Sequence, residues 1–368
     1  MLLHFYLRVR QISRLCVIIV LPIKLKRENT MKRKIKITLK IICSIVTCLV
    51  IISAGFLTYV LIKKDAPAFG YYFDDNTQFD LKFGQTVEMK ETELSVLLLT
   101  DMHYNGFVGD RKTDELADYL VEKTKPDLII LLGDNCFTPF NQQSYEHIIK
   151  KMDSYKIPWA LIFGNHDEQG KATKQYLAKM LEESSYSIFC YGPNNIDGAG
   201  NYFINITKDE TIVHTIYLLD SKKKSGNYQP PSKEQIKWYE WAVNGITDYC
   251  GKVVPSTLLI HIPLPEYIGA YDAAITDNSV IYGNRGENEA VSNINSGLFE
   301  KIKKLKSTVG IFCGHDHLND YSVMSDGVRL TYSVSSGFGS YGSNDIKGGT
   351  LLKILQNGQT EQTPLYYK

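Results

Sequence analysis

"PDLIILLGDN" (126–135) runs through five consecutive apolar residues, Leu128 to Leu132, and closes on Gly-Asp-Asn. A run that is apolar at every position, without alternation, is buried on both faces, as in a central parallel strand covered by helices. The pattern repeats on both sides. "ELSVLLLT" (93–100) precedes it and "IPWALIF" (157–163) follows it. Between them, "KTDELADYLVEKT" (112–124) puts Leu116, Tyr119 and Leu120 on one helical face, and "SYEHIIKKMDSY" (144–155) reads as a second helix. This β-α-β-α-β succession predicts an α/β protein with largely parallel sheets, whose ligands collect at the carboxyl ends of the strands. Further strands are expected at 202–206, 212–220, 256–262, 308–313, 319–324, 328–334 and 349–356, with helices near 233–245 and 297–306. No internal repeat appears. One domain over 91–368, led in by a linker and first strand at 63–90, is the economical division.

Charge is unevenly spread. Residues 1–64 hold 13 of the 41 Lys and Arg but only one acid, Glu28, so the remainder carries 28 basic against 39 acidic residues, a net of −11. A surface of that sign does not grip phosphate backbones, and no nucleic-acid partner is expected. The asymmetry centres on "IICSIVTCLVIISAGFLTYVLI" (41–62), which is 22 residues without a charge. About 20 suffice for a helix to span a bilayer core. Lys32, Arg33, Lys34, Lys36 and Lys40 precede it, and only Lys63 and Lys64 follow before Asp65. The positive-inside bias therefore predicts a basic cytoplasmic segment at 1–40, a transmembrane signal anchor at 41–62 and an extracytoplasmic remainder. "APA" (66–68) offers a competing signal-peptide cleavage site. Against it, the apolar run exceeds the roughly 7–15 residues usual for such peptides. Met31 opens a basic segment and anchor of its own, so residues 1–30 read as an over-extended start or as a cytoplasmic preface. The seven cysteines include no CxxC pair, which disfavours a zinc ribbon or thioredoxin-like site. Disulfides among Cys136, Cys190, Cys250 and Cys313 stay open.

Five polar clusters share one placement, each directly after an apolar strand. They are "TDMHYNG" (100–106), "GDN" (133–135), "GNHDE" (164–168), "IHIPLPEY" (260–267) and "CGHDHLND" (313–320). Five of the eight histidines fall in them; His4, His147 and His214 do not. Singly, Asp-x-His, "GDN" and "HIP" are ordinary turns or caps. Two imidazoles two residues apart, as in "GHDH", face the same way on an extended chain. The conjunction of all five is not ordinary.

The order D-x-H, G-D-N, G-N-H-D, H, G-H-x-H over about residues 92–335 resembles the calcineurin-like metallophosphoesterase superfamily. The fuller pattern "PDLIILLGDN … IPWALIFGNHDE … HIPLPEY … GHDHLND" is similar to its purple-acid-phosphatase-like branch. The resemblance implies a four-layer α/β/β/α sandwich of two mixed sheets, the metallophosphatase fold. It implies one cation on Asp101, His103, Asp134 and His317, and a second on Asp134, Asn165, His261 and His315, with Asp134 bridging. Mixed oxygen and nitrogen ligation fits Mn, Fe or Zn better than Ca or Mg. True purple acid phosphatases carry a metal-binding tyrosine three residues after the bridge. Phe137 stands there, so the coloured ferric–tyrosinate pair is not expected.

The chemistry implied is hydrolysis of a phosphoric ester by a water that loses its proton between two cations. His166, beside the ligand Asn165, is the candidate general acid, with Asp167 to orient its imidazole. Weaker candidates for substrate contact are Tyr104, Asn105, Asn135 and, in the long polar loop 282–297, Arg285. "GFGSYG" (337–342) lacks the lysine of a nucleotide-binding loop and reads as a turn near the site. The expected substrate is a phosphorylated small molecule or lipid-type compound. A phosphodiesterase or pyrophosphatase acting on envelope lipid or nucleotide-type substrates, and an inactive binding module, are the alternatives.

Overall fold

The computed structural model of the chain describes residues 30–224 and 226–368. The over-extended-start reading of 1–30, with Cys16, falls almost wholly outside the described residues. Two compact units are present, Met1–Ile62 and Lys63–Lys368. In the first, helix α1 covers Thr30–Leu61. Its large apolar side chains, from Ile35 to Ile52, are exposed all round, unlike the single stripe of a helix packed on a core. Lys34–Gly55 is long and apolar enough to cross a membrane, a property that signal sequences share.

The second unit begins against its own domain, not as a free linker. Lys64 pairs with Ala172 and Tyr71 with Pro193, ahead of β1 (Gln85–Glu88). The predicted alternation follows as β2 (Glu93–Leu99), α2 (Asp110–Thr124), β3 (Leu128–Leu132), α3 (Asn141–Ser154), β4 (Trp159–Ile162) and α4 (Lys174–Glu182). Next come β5 (Tyr202–Lys208), β6 (Thr211–Leu219) and a small hairpin of β7 (Lys222–Lys224) and β8 (Asn227–Gln229). Then α5 (Lys233–Cys250), β9 (Ser256–Ile260), α6 (Glu266–Thr276), α7 (Leu298–Leu305) and β10 (Thr308–Cys313) lead to the last strands. These are β11 (Ser322–Ser325), β12 (Val328–Tyr332), β13 (Gly348–Leu355) and β14 (Thr360–Tyr366).

The strands form a five-stranded sheet, β14-β13-β2-β3-β4, and a seven-stranded sheet, β1-β5-β6-β9-β10-β12-β11. Both are mixed. β2, β3 and β4 run parallel while β13 is antiparallel to β2; β6, β9, β10 and β12 run parallel while β5 and β11 pair antiparallel. Period-two burial shows which face meets which layer. Along β5 and β6, Tyr202, Ile204, Ile206, Ile216 and Leu218 join the core of the five-stranded sheet. Phe203, Tyr217 and Leu219 join a second core with Trp238, Tyr239 and Ile302 of α5 and α7. The sheets therefore stack face to face with helices outside, a four-layer α/β/β/α sandwich.

Helices α4 and α6 and the short strands β7, β8 and β14 had no predicted counterpart, whereas β1 lies within the segment expected to hold a first strand. A Thr173 side-chain cap on α4 was the available signal. β14 contains Pro364 and lies at a sheet edge, the position where a strand tolerates proline. The described cysteines, Cys43, Cys48, Cys136, Cys190, Cys250 and Cys313, are all free thiols.

Candidate metal centre

The carboxyl ends of β2, β3 and β4 from one sheet, and of β9 and β10 from the other, deliver all five polar clusters to one edge of the sandwich. Backbone bonds tie these ends together. Asp101 N–H donates to Gly133 O at 3.1 Å, His103 N–H to Asp134 O at 3.0 Å, and Gly314 N–H to His261 O at 3.1 Å. To turn side chains back over the edge, the chain must bend at once. Asp101, His103, Asp134 and His315 accordingly sit at φ of 53°, 47°, 48° and 81°, a region non-glycine residues occupy at a cost of about 1–3 kcal/mol each. Gly164 and Gly314 permit the close approach. A Cβ at Gly164 would lie 2.2 Å from Asp134 Oδ1, and one at Gly314 2.0 Å from Thr100 Oγ1.

Two buried triads result, Asp101–His103–His317 and Asp134–His261–His315, each with its donor atoms within 4.8 Å of one another. Each carboxylate spends one oxygen on the scaffold and turns the other to the imidazoles. Asp101 Oδ2 accepts from Thr100 Oγ1 and from His315 N–H, both at 2.9 Å. Its Oδ1 faces His317 Nε2 at 3.3 Å. Asp134 Oδ1 accepts from His166 N–H at 2.8 Å. Its Oδ2 lies 3.1 Å from His261 Nε2 and 3.9 Å from His103 Nε2, between the triads. His103 and His317 approach to 3.1 Å through their Nε2 atoms.

The donor atoms fit divalent cations. Asp101 Oδ1, His261 Nε2, both nitrogens of His315 and both polar side-chain atoms of Asn165 are buried without a hydrogen-bond partner. Unpaired buried polar atoms in such number are costly unless something else satisfies them. Outer contacts select the ligating nitrogen, as metal sites require. His261 Nδ1 bonds Leu132 O at 2.9 Å and His317 Nδ1 bonds Tyr341 O at 2.8 Å, so each Nε2 points inward. Electrostatics agree. Burial opposes a charge on His261, yet Asp134 and Asp101 raise it to about 10. Burial and the charge of His261 push His315 down to about 3, leaving a bare lone pair at neutral pH. The field of Asp134 and Asp101 at the centre favours positive charge.

Of the residues expected to do chemistry, His166 reaches the centre. Its Nε2 is 3.9 Å from Asp134 Oδ2, and at 26% side-chain exposure it is the most open of the site imidazoles. Its Nδ1 meets Gln169 Oε1 at 2.9 Å. Asp167 does not orient it, correcting the sequence expectation. That carboxylate is buried and accepts from Gly164 N–H at 2.7 Å, Cys136 N–H at 3.1 Å and Asn135 Nδ2 at 3.2 Å. It bolts the Asp134 loop to the Asn165 loop. Burial, then the charge of Asp134, raises it to about 6.

The four expected substrate contacts are also placed elsewhere. Tyr104 is buried, its hydroxyl donating to Asp114 at 2.8 Å. The Asn105 side chain caps its own loop, accepting from Phe107 and Val108 N–H at 2.9 and 3.1 Å. Asn135 is buried beneath the site, with Nδ2 on Ile162 O at 3.0 Å. Arg285 pairs with Asp272 and Glu289 and lies over the Tyr271 ring at 4.5 Å. Loop 282–297 is stapled shut: Glu287 Oε1 accepts from Leu318 N–H at 2.8 Å and Tyr341 OH at 3.0 Å.

Sequence reading missed Tyr341 and Tyr228 as aromatic neighbours, and noted Phe137 only as standing in place of a metal-binding tyrosine. Tyr341, inside the glycine-rich turn, stacks on His317 at 4.1 Å and 14°. Tyr228 of the β7–β8 hairpin meets His315 edge-on at 4.6 Å. Phe137 meets His166 at 4.4 Å. None carries a motif of its own. Cys136 is a buried thiol, raised well above its ordinary range by burial.

Residues 94–319 match the family model for calcineurin-like phosphoesterases. The chain is 28% identical over 337 residues to Phosphatase DCR2 of Saccharomyces cerevisiae, covering 80% of this chain and 58% of that protein. It is 27% identical over 291 residues to the Arabidopsis thaliana protein named "Probable inactive purple acid phosphatase 14", covering 67% of this chain and 71% of the relative. Among solved structures, a dimetal phosphatase from Danio rerio aligns with a TM-score of 0.47 at 11% identity, over 75% of this chain and 99% of that one.

Proposed function

The chain belongs to the calcineurin-like phosphoesterase family, and from that premise we propose that it is a phosphoric-ester hydrolase with two divalent cations, held at a membrane by α1 with its catalytic unit outside the cell. The observation that carries this reading is the pair of buried triads in which Asp101 Oδ1, His261 Nε2 and both His315 nitrogens have no hydrogen-bond partner. Asp101, His103 and His317 would hold one cation and His261, His315 and Asn165 the other, with Asp134 contributing to both. Bound there, two such ions supply the charge that activates water at neutral pH and offsets charge on the phosphoryl oxygens. Mn, Fe or Zn suits the donors.

His166 moves the proton that the leaving oxygen needs. With Nδ1–H held by Gln169 Oε1, Nε2, the nitrogen directed at Asp134, is the atom that takes up and gives up the transferred proton. A positioned imidazole of this kind contributes about 10²–10⁴ in rate. Asp167 keeps the loops of Asp134 and His166 in register.

Full-length protein in detergent, loaded with Mn²⁺, is expected to hydrolyse p-nitrophenyl phosphate or its bis ester, and a chelator to abolish the activity. Two bound metals without turnover of either ester under any divalent metal would favour the binding-module reading instead. The anchor reading rests on the basic residues Lys32 to Lys40 that precede the uncharged run 41–62 within α1, and is tested by external protease on intact cells. Survival of the catalytic unit would overturn it.

A further inference from the structure

An exposed phenylalanine on a fixed backbone flanks the proton donor. Phe137 is 47% exposed, and its ring centroid lies 4.4 Å from that of His166 and 6.0 Å from that of His103. Its position is not loose. Phe137 N–H donates to Tyr104 O at 3.1 Å and Tyr104 N–H to Asn135 O at 3.0 Å, and the preceding Cys136 N–H is held by Asp167. The loop continuing from Tyr104 shows Phe107 and Val108 at 80% and 75% exposure, on a backbone capped by Asn105. On the flank of the other triad, Tyr341 is 51% exposed while stacked on His317.

In an in-line displacement the leaving oxygen must face the proton donor. The carbon skeleton attached to that oxygen then extends past His166, onto Phe137. Four described cations of the surrounding loops are engaged elsewhere. Arg285 is tied to Asp272 and Glu289, Lys347 is buried on Ser335 Oγ at 3.0 Å, and Lys222 pairs with Asp197 at 2.7 Å. Lys171 lies over the Phe140 ring at 4.8 Å. A second phosphate against Phe137 would lose hydration without gaining a paired charge.

We infer that Phe137 is the wall of a leaving-group subsite that selects phosphoric esters of aromatic or otherwise apolar alcohols over pyrophosphates and sugar-like esters. This rests on the phosphoesterase reading above, and its test reads binding as well as turnover. The probes are naphthylmethylphosphonate, ethylphosphonate and methylenediphosphonate, which keep the phosphoryl group but cannot be hydrolysed, titrated into the Mn²⁺-loaded full chain in detergent. The naphthyl compound should bind about tenfold tighter than the other two, combining apolar burial with an aromatic contact. Phe137→Ala should lose about fivefold of that preference and Phe137→Trp should keep it, with melting temperature reporting that both variants fold. The ratio of kcat/KM for 1-naphthyl phosphate over glycerol phosphate should fall in parallel in Phe137→Ala. Equal affinity for the probes, tighter binding of the diphosphonate, or a preference unchanged in Phe137→Ala would overturn the inference. Selective phosphonate binding without turnover of any ester would refute catalysis and leave the subsite standing.

Discussion

Replacing Gly164 by alanine isolates the steric basis of the centre. The added Cβ would lie 2.2 Å from Asp134 Oδ1, 2.4 Å from Asp134 N and 2.8 Å from His261 Cδ2. Ordinary contact begins at 3.4 Å, so Asp134 must retreat by about 1 Å, and its backbone nitrogen prevents a side-chain rotation from absorbing this. Retreat stretches the 2.8 Å bond from His166 N–H beyond hydrogen-bonding range. Overpacking costs about 1–3 kcal/mol and loss of a hydrogen bond to a charged group about 1.5–3 kcal/mol, together about 4 kcal/mol. At about 2 °C per kcal/mol for a domain of this size, the melting temperature should fall by about 8 °C. The Asp134 carboxylate is then displaced from its own triad partner His261 and from His103 of the other triad, so both cations should be lost together. Calorimetry with and without Mn²⁺, and metal content after gel filtration, measure the two effects. Gly106→Ala is the control: nothing lies within 4 Å of its Cβ, and φ of +84° is the only penalty. That costs about 1–2 kcal/mol and leaves the metals in place. A Gly164→Ala protein that keeps two metals and melts within about 2 °C of wild type would refute the crowding argument.

His166→Ala should keep both metals and lose about 10²–10⁴ in kcat, most severely for poor leaving groups, whereas Asn165→Ala should weaken one metal; equal metal loss in the two, by metal analysis, would end that division of labour. Glu287→Ala releases Leu318 N–H and the Tyr341 hydroxyl, so the cation on His317 should bind about tenfold more weakly; titration showing two unchanged affinities would count against the staple. His214 is buried between Gly358 O and Thr257 Oγ1 at 3.0 and 2.9 Å, and burial lowers it from 6.5 to about 4. The unfolded chain takes up that proton first as pH falls, so its contribution is intact above about pH 6.5 and lost toward pH 4, about 3 kcal/mol in all. Urea melts across that range should show a shallower pH slope for His214→Gln; identical slopes would mean another group titrates.

The sequence by itself determined the central strands and what stands at their ends. Leu128–Leu132 and its neighbours are apolar at every position because both faces are covered, and such runs show in one dimension. A parallel strand delivers its carboxyl end to the same edge as the next, so Asp101, Asp134, Asn165, His261, His315 and His317 were legible as one constellation before any distance was known. Tertiary structure decided where side chains point beyond that edge. Asp167 follows His166 directly, yet its carboxylate turns inward to Gly164, Cys136 and Asn135, and Gln169, three residues on, takes the imidazole. Tyr104, Asn105 and Arg285 lie next to or among the motifs, but their polar atoms are consumed by Asp114, Phe107 and Asp272. Tyr341, more than twenty residues beyond the last motif, stacks on His317. Sequence order fixes which strand carries a residue. The backbone angles at the strand ends and contacts between loops far apart in the chain fix which way it faces, and these exist only once the two sheets have packed.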